Sequence, residues 1–203
     1  MSIIIRIQKP AVKGETDMKE KKTFSIYKTV FIAMMAAIVC VVTFFRFPLL
    51  GSKVHFANTM CLLSGLLFGG VDGGLAAGIG SGLYDALFGG YDLIESLVTF
   101  ATKFLMAYIC AQVVRTSREE PGKGRVISAC AVGAFSYVAL YMLKTFIYQR
   151  FVYGYPQDTV WAAMLAKLPA SVINAVVAVI AAPILYAAIK PALERSGCLK
   201  KFR

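Results

Sequence analysis

Long uncharged stretches divide most of the chain into apolar segments. Seventeen residues without a charge lie between Lys28 and Arg46, and eighteen lie between Lys53 and Asp72. Two more such stretches cover residues 126–143 and 168–189. Each approaches the length of about 20 residues at which an α-helix crosses the hydrocarbon core of a bilayer. These four stretches therefore predict transmembrane helices.

Two further apolar segments, 73–91 and 96–114, each contain a single charged residue, Asp85 and Lys103. A spanning helix tolerates an ionisable side chain that faces the interior of a helix bundle. We therefore predict an all-α fold, an integral membrane bundle of six transmembrane helices. Their approximate bounds are 29–46, 55–70, 72–90, 94–115, 126–149 and 161–190.

Composition and charge agree with a membrane protein. Hydrophobic residues make up 58% of the chain and charged residues 16%, which excludes an ordinary soluble enzyme. A net charge of +11 would indicate nucleic acid binding in a soluble protein. With the N-terminus inside, however, sixteen of the 22 Lys and Arg residues lie in inner segments and three in outer loops. Because cytoplasmic loops carry the excess of Lys and Arg, both termini are predicted to be cytoplasmic, with no nucleic acid partner.

The sequence predicts no catalytic, nucleotide-binding or metal-binding site in this chain. It contains no phosphate-binding loop, no HExxH or GxSxG motif, and no CxxC pair among its five cysteines. We therefore predict no enzyme activity, no cofactor and no metal in this chain. Residues 1–23 are predicted to be a cytoplasmic, disordered segment, with Met18 as an alternative start, and residues 24–203 the six-helix membrane domain.

Glycine is concentrated in the third predicted helix. Ten of the 17 glycines lie between positions 65 and 90, and Gly70, Gly74, Gly78 and Gly82 recur at intervals of four. On a helix this spacing forms a flat groove against which another helix packs closely. The pattern therefore predicts packing as the role of these glycines and a central position for the third helix.

Polar residues inside the predicted helices gather toward the outer side of the membrane. At a rise of 1.5 Å per residue, Asn58, Asp85, Lys144 and Lys167 lie within roughly 10 Å of the outer surface, and Lys103 lies near the midplane. Such residues are costly in hydrocarbon and normally face a bundle interior or a cavity. Their common depth predicts an outward-facing pocket.

Helical spacing also places these residues on shared faces. On the fifth helix they are Tyr137, Tyr141, Lys144 and Tyr148; on the sixth, Lys167, Ser171 and Asn174; on the fourth, Thr99 and Lys103. An aromatic face with an embedded cation suits a flat heterocycle that carries a polar or anionic group. The alternative is a structural network in which Asp85 pairs with one lysine and the tyrosines anchor at the membrane interface.

The first loop, residues 46–55, is short and amphipathic, and it has the character of a lid over a ligand. His55 closes this loop at the predicted start of the second helix. Two interpretations of His55 stay open: a residue that senses pH or contacts ligand, and a simple interfacial residue.

Several segments together resemble the substrate-binding S components of energy-coupling factor (ECF) transporters, in particular the riboflavin-type group. They are the AxxxA pair at Ala33 and Ala37 after a basic start, KVHFANTM at 53–60, the glycine-rich block LLFGGVDGGLAAGIGSGLYD at 66–85, and TFATKFLMA at 99–107. The resemblance covers nearly the whole chain from Met18.

The resemblance implies a multi-pass protein of a bacterial cell membrane that binds a vitamin or related heterocycle from outside. It implies association with a transmembrane coupling subunit, which Ala33 and Ala37 contact, and with two cytoplasmic ATPase subunits. Family sites are built from the first loop and helices four to six. The candidate substrate-binding residues are Lys53, Asn58, Tyr84, Asp85, Thr99, Lys103, Tyr141, Lys144, Tyr148, Lys167 and Asn174. The identity of the substrate does not carry over.

One rival function belongs to another class of protein, a stand-alone secondary transporter or channel for a small solute. Such a protein is expected to contain an inverted repeat or charged residues through the full depth of its bundle. The sequence contains neither pattern. The preferred hypothesis is therefore the substrate-capture subunit of an ATP-driven micronutrient importer.

Overall fold

The computed structural model describes residues 26–49, 52–116 and 120–202. Within these residues the chain forms six α-helices. They are α1 (Ile26–Phe44), α2 (Ala57–Phe68), α3 (Gly70–Tyr84), α4 (Leu93–Arg115), α5 (Lys123–Ile147) and α6 (Gln157–Arg195). The predicted all-α class is confirmed. The N-terminal segment 1–23 and the alternative start Met18 lie outside the described residues.

Short elements join the helices. The first loop is a β-hairpin of β1 (Arg46–Leu49) and β2 (Ser52–His55), in which Arg46 lies opposite His55. A single turn of π-helix follows α3 at Asp85–Gly89 and another follows α5 at Tyr148–Val152, and a 3₁₀ turn, Cys198–Lys201, follows α6. The sequence pattern did not predict this hairpin, and His55 lies on β2, before the second helix begins.

Among the described residues, four helical segments are long and apolar enough to cross a membrane: α1, α4, α5 together with its π-turn, and α6. By contrast, α2 has 12 residues and α3 has 15, fewer than the segments 55–70 and 72–90 that the sequence predicted. The break between them is at Gly69, whose φ of 91° favours glycine and ends a helix. That all six helices cross the membrane stays a prediction, as does the side on which the termini lie.

The glycines of α3 are packing residues, as predicted. Gly74 and Gly78 lie against the rings of Phe104 and Phe100 on α4, and a Cβ on either would approach the ring within 2.8 and 2.9 Å. The two rings stack with centroids 6.3 Å apart and continue the row to Tyr108. The groove of α3 therefore receives an aromatic ridge of α4.

A second glycine face of α3 contacts the other neighbours. Gly73 lies against the backbone of Ser64 and Gly65 on α2, and Gly80 lies against the backbone oxygen of Ala36 on α1. Only a residue without a side chain permits such contacts between backbones. In this way α3 packs closely against α1, α2 and α4, whereas α2 contacts all five other helices and is the more central one.

The end of the bundle at which α1 begins and α6 ends is filled by apolar side chains. The ring of Phe202 packs on Phe68 at 4.8 Å and on Phe31 at 6.1 Å between centroids. The guanidinium of Arg115 donates a hydrogen bond of 3.4 Å to the carbonyl oxygen of Phe202. Residues that follow α6 therefore close this end against α1, α2 and α4.

We expect Gly78→Ala to destabilise the protein, because its new Cβ meets the backbone oxygen of Phe100 as well as the ring. Overpacking of this kind costs about 1–3 kcal/mol. The matched control is Gly124→Ala, at a position on α5 with no atom within 4 Å. Thermal denaturation in detergent should give a lower Tm for Gly78→Ala alone, and equal Tm values for the two variants would contradict this packing.

Candidate ligand-binding site

A cavity of about 260 Å³ lies at the end of the bundle opposite the start of α1 and the end of α6. The hairpin and the two π-turns border it, and all six helices contribute to its lining. This convergence arises because the C-terminal ends of α1, α3 and α5 meet the N-terminal ends of α2, α4 and α6 there. Its size suits a small molecule that carries a few polar groups.

Lys103 of α4 lies at the inner part of this lining and is only 3% exposed. Its ammonium donates a hydrogen bond to the Oδ1 atom of Asn58 on α2. The same Nζ atom lies 3.8 Å from the centroid of the Tyr137 ring on α5, a cation–π contact. Both partners are uncharged, so within the described part of the chain no carboxylate contacts this buried cation.

A second ammonium group lies among aromatic rings. The Nζ atom of Lys144 is 3.7 Å from the Oε1 atom of Glu95, and it lies 5.7 and 5.5 Å from the ring centroids of Tyr91 and Tyr148. The ring of Tyr141, one turn before Lys144, continues the same face toward Tyr137. The predicted aromatic face of α5 therefore lines the cavity with its cation in place.

The hairpin is attached to α6 through one amide side chain. The Oδ1 atom of Asn174 accepts a hydrogen bond of 2.9 Å from the backbone N–H of His55, and its Nδ2 donates one of 2.8 Å to the carbonyl oxygen of Lys53. Both functions of the amide are thus engaged by the backbone of β2. Asn174 positions the hairpin over the cavity.

The imidazole of His55 faces the cavity from β2. Its Nδ1 atom is buried and has no hydrogen-bond partner among the residues that the structure describes. Burial lowers the pKa of His55 to about 3, and the nearby cations Lys103, Arg46 and Lys53 add to this effect. The ring is therefore neutral at physiological pH, which disfavours the interpretation of His55 as a pH sensor.

Nine of the eleven candidate residues line this one cavity. They are Lys53, Asp85, Thr99, Lys103, Tyr141, Lys144, Tyr148, Lys167 and Asn174. The other two lie behind it: Asn58 holds Lys103, and the ring of Tyr84 lies beneath the guanidinium of Arg46 at 4.7 Å. Contact between any of these side chains and a ligand stays a prediction.

Several lining residues were absent from the candidate set, notably Arg46, Tyr91 and Glu95. In the sequence, Glu95 follows Asp92 in the pattern of an ordinary helix start. In the structure, the Oδ1 atom of Asp92 caps α4 by accepting a hydrogen bond of 2.6 Å from the backbone N–H of Glu95. The alternative network expected Asp85 to pair with a lysine. Within the described ranges Asp85 forms no ion pair, and Glu95 pairs with Lys144 instead.

The small residues Ala33 and Ala37 lie on the exposed face of α1. The opposite face, with Met35 and Val39, is buried in the bundle. The outer face of α1 is thus apolar, and its two alanines leave a shallow track along the helix. The buried face of α1 alone accounts for its packing within this molecule, without Ala33 and Ala37.

Comparison with known proteins gives a family and a fold. Residues 23–191 match the family described as ECF-type riboflavin transporter, S component. A solved structure, titled "Structure and mechanism of the S component of a bacterial ECF transporter", is similar with a TM-score of 0.64 and 19% identity, over 82% of this chain and 96% of that one. The chain has no match among curated proteins. With the family match over most of its length, the chain belongs to the S components of ECF-type riboflavin transporters.

Proposed function

We propose that this chain is the substrate-capture subunit of an ECF-type importer in a bacterial cell membrane. It binds a vitamin or vitamin-like heterocycle from the extracellular side and delivers it together with a coupling subunit and two ATPases. The observation that carries the proposal is the cavity at the end opposite the termini, lined by tyrosines and ammonium groups. Because the excess of Lys and Arg assigns the termini to the cytoplasm, this end faces outward.

Two sets of groups act on the ligand in this proposal. The rings of Tyr137 and Tyr141 supply flat apolar surface against which a heterocycle stacks, and Lys103 donates hydrogen bonds to its polar edge. The hairpin, held by Asn174, covers the ligand and excludes water from these contacts. Removal of water strengthens each hydrogen bond to the ligand.

Energy for import comes from the partners. The sequence has no phosphate-binding loop, so the ATPase subunits hydrolyse ATP and act through the coupling subunit. The exposed track at Ala33 and Ala37 is the proposed docking surface for that subunit, since small residues let two helices approach closely in lipid.

The packing of the opposite end favours this function over a stand-alone channel or carrier. There the rings of Phe31, Phe68 and Phe202 fill the space between α1, α2 and the segment after α6. The polar lining described for the cavity does not extend to that cluster. A ligand therefore leaves inward only after a larger rearrangement, of the kind that a coupling subunit drives.

We expect the double variant Ala33→Leu and Ala37→Leu to lose the coupling subunit, because bulky side chains fill the track on α1. Copurification with a co-expressed coupling subunit measures the loss, while ligand binding stays unchanged. Ala139→Leu, at an exposed position on α5, is the control and keeps the complex. Intact complex formation by the double variant would refute the docking surface.

We expect Lys103→Ala to weaken ligand binding at least tenfold, about 1.4 kcal/mol, because a buried charged donor is lost. Lys144→Ala should have a similar effect. The ligand is first identified by mass spectrometry of small molecules released from the purified protein, and its Kd is then measured by calorimetry. Lys123→Ala, at the other end of the bundle, serves as control; equal Kd values for all three variants would remove both lysines from the site.

Reconstitution separates the two functions. In liposomes we expect no uptake by the purified chain alone, and ATP-dependent uptake once the coupling and ATPase subunits are added. Transport of the identified ligand down its gradient by the chain alone would establish a secondary carrier.

A further inference from the structure

The lining of the cavity carries a marked excess of positive charge. Five of its side chains are cationic and two are anionic; the cations are Arg46, Lys53, Lys103, Lys144 and Lys167, and the anions are Asp85 and Glu95. The lining therefore has three positive charges more than its own carboxylates balance.

Among the described residues, the two carboxylates of the lining form a single ion pair with its cations. That pair joins Glu95 and Lys144 at 3.7 Å, which is longer than a direct charge-assisted hydrogen bond. Asp85 forms no ion pair or hydrogen bond within the part of the chain that the structure describes. The ammonium of Lys103 has the amide of Asn58 and the ring of Tyr137 as its contacts. Two carboxylates thus leave most of the positive charge of the cavity uncompensated.

Lys167 of α6 is the clearest case. It is partly buried, and among the described residues its ammonium makes no ion pair and no hydrogen bond. The charged groups that act on it are Lys144, which repels it, and Glu95. The backbone oxygen of Lys167 accepts the hydroxyl of Ser171 at 3.0 Å, so this turn of α6 is itself regular. Two ammonium groups on adjacent helices therefore line the cavity, and Glu95 is the one carboxylate among the described residues that acts on both.

Such an arrangement is costly without a ligand. A cation withdrawn from water and left without a counter-ion loses more hydration energy than neutral contacts return. An uncharged heterocycle would fill the cavity and remove its water while leaving these charges unpaired. A negatively charged group on the ligand reverses the balance, because it supplies the missing counter-ion in a low-dielectric site.

We propose that the ligand of this cavity is an organic anion, a heterocycle whose carboxylate or phosphate lies between Lys167 of α6 and Lys144 of α5. The inference rests on the proposed function and specifies its substrate class. The ring system lies toward Tyr137 and Tyr141, with Lys103 at its polar edge, and the acid group draws α5 and α6 together.

Matched pairs of compounds test the charge directly. The probes are nicotinate with nicotinamide, pyridoxal 5′-phosphate with pyridoxal, and riboflavin 5′-phosphate with riboflavin. Calorimetry on the full chain in detergent gives a Kd for each. We expect the charged member of at least one pair to bind at least tenfold more tightly than its neutral partner, and the pair concerned distinguishes a carboxylate from a phosphate.

Variants at one position assign the preference to Lys167. In Lys167→Gln the charged compound should bind no better than its neutral partner, whereas Lys167→Arg should retain most of the difference and shows that the site folds. Lys123→Gln, remote from the cavity, should change neither value.

Three results would overturn the proposal: a neutral compound that binds as tightly as its acid, a preference for the acid that persists in Lys167→Gln, or no binding by any of the six compounds. These results leave the importer itself untouched when the chain still assembles with its coupling subunit. Failure of that assembly, by contrast, counts against the proposed function and not against the charge of the ligand.

Discussion

Close contact between helices at α3 is the constraint on which the rest of the structure depends. Gly73 and Gly80 bring the backbones of α2 and α1 against α3, and Gly74 and Gly78 receive the rings of α4. Lipid provides no hydrophobic force between helices, so association relies on such packing. Because α2 and α4 are both fixed on α3, Asn58 of α2 lies behind the cavity at hydrogen-bonding distance from Lys103 of α4.

The site combines this rigid frame with poorly balanced charge. Lys103 is held by neutral groups on two neighbouring helices, and Lys144 has one carboxylate at 3.7 Å. A protein that needed only stability would replace such residues with apolar ones, since isolated charges in a bundle are expensive. Their presence at the end that the hairpin covers is explained if a bound ligand offsets this energetic cost. Stability without ligand and affinity for ligand are thereby coupled through the same ammonium groups.

Local patterns revealed much of the fold and part of the site. The length of the uncharged stretches identified the helices, and the spacing of glycines at every fourth position identified the packing of α3. Helical spacing grouped Tyr141, Lys144 and Tyr148 on one face, which lines the cavity. The hairpin was not predicted because its strands are only four residues long, and because Asn174, which holds it, lies 119 positions from His55 in the sequence. Glu95 escaped because its local pattern is that of a helix start.

The sequence by itself determined which segments are apolar, which glycines pack and which family the chain resembles, because uncharged length, glycine spacing and short motifs are all local properties of the chain. Only the tertiary structure decided which charges meet. In the structure Asn58 accepts a hydrogen bond from Lys103, and Asn174 accepts one from the backbone of the hairpin. Lys144 pairs with Glu95, and Asp85 has no ion pair in the described chain. Electrostatic interactions depend on distances between helices, and spacing along one helix does not contain those distances.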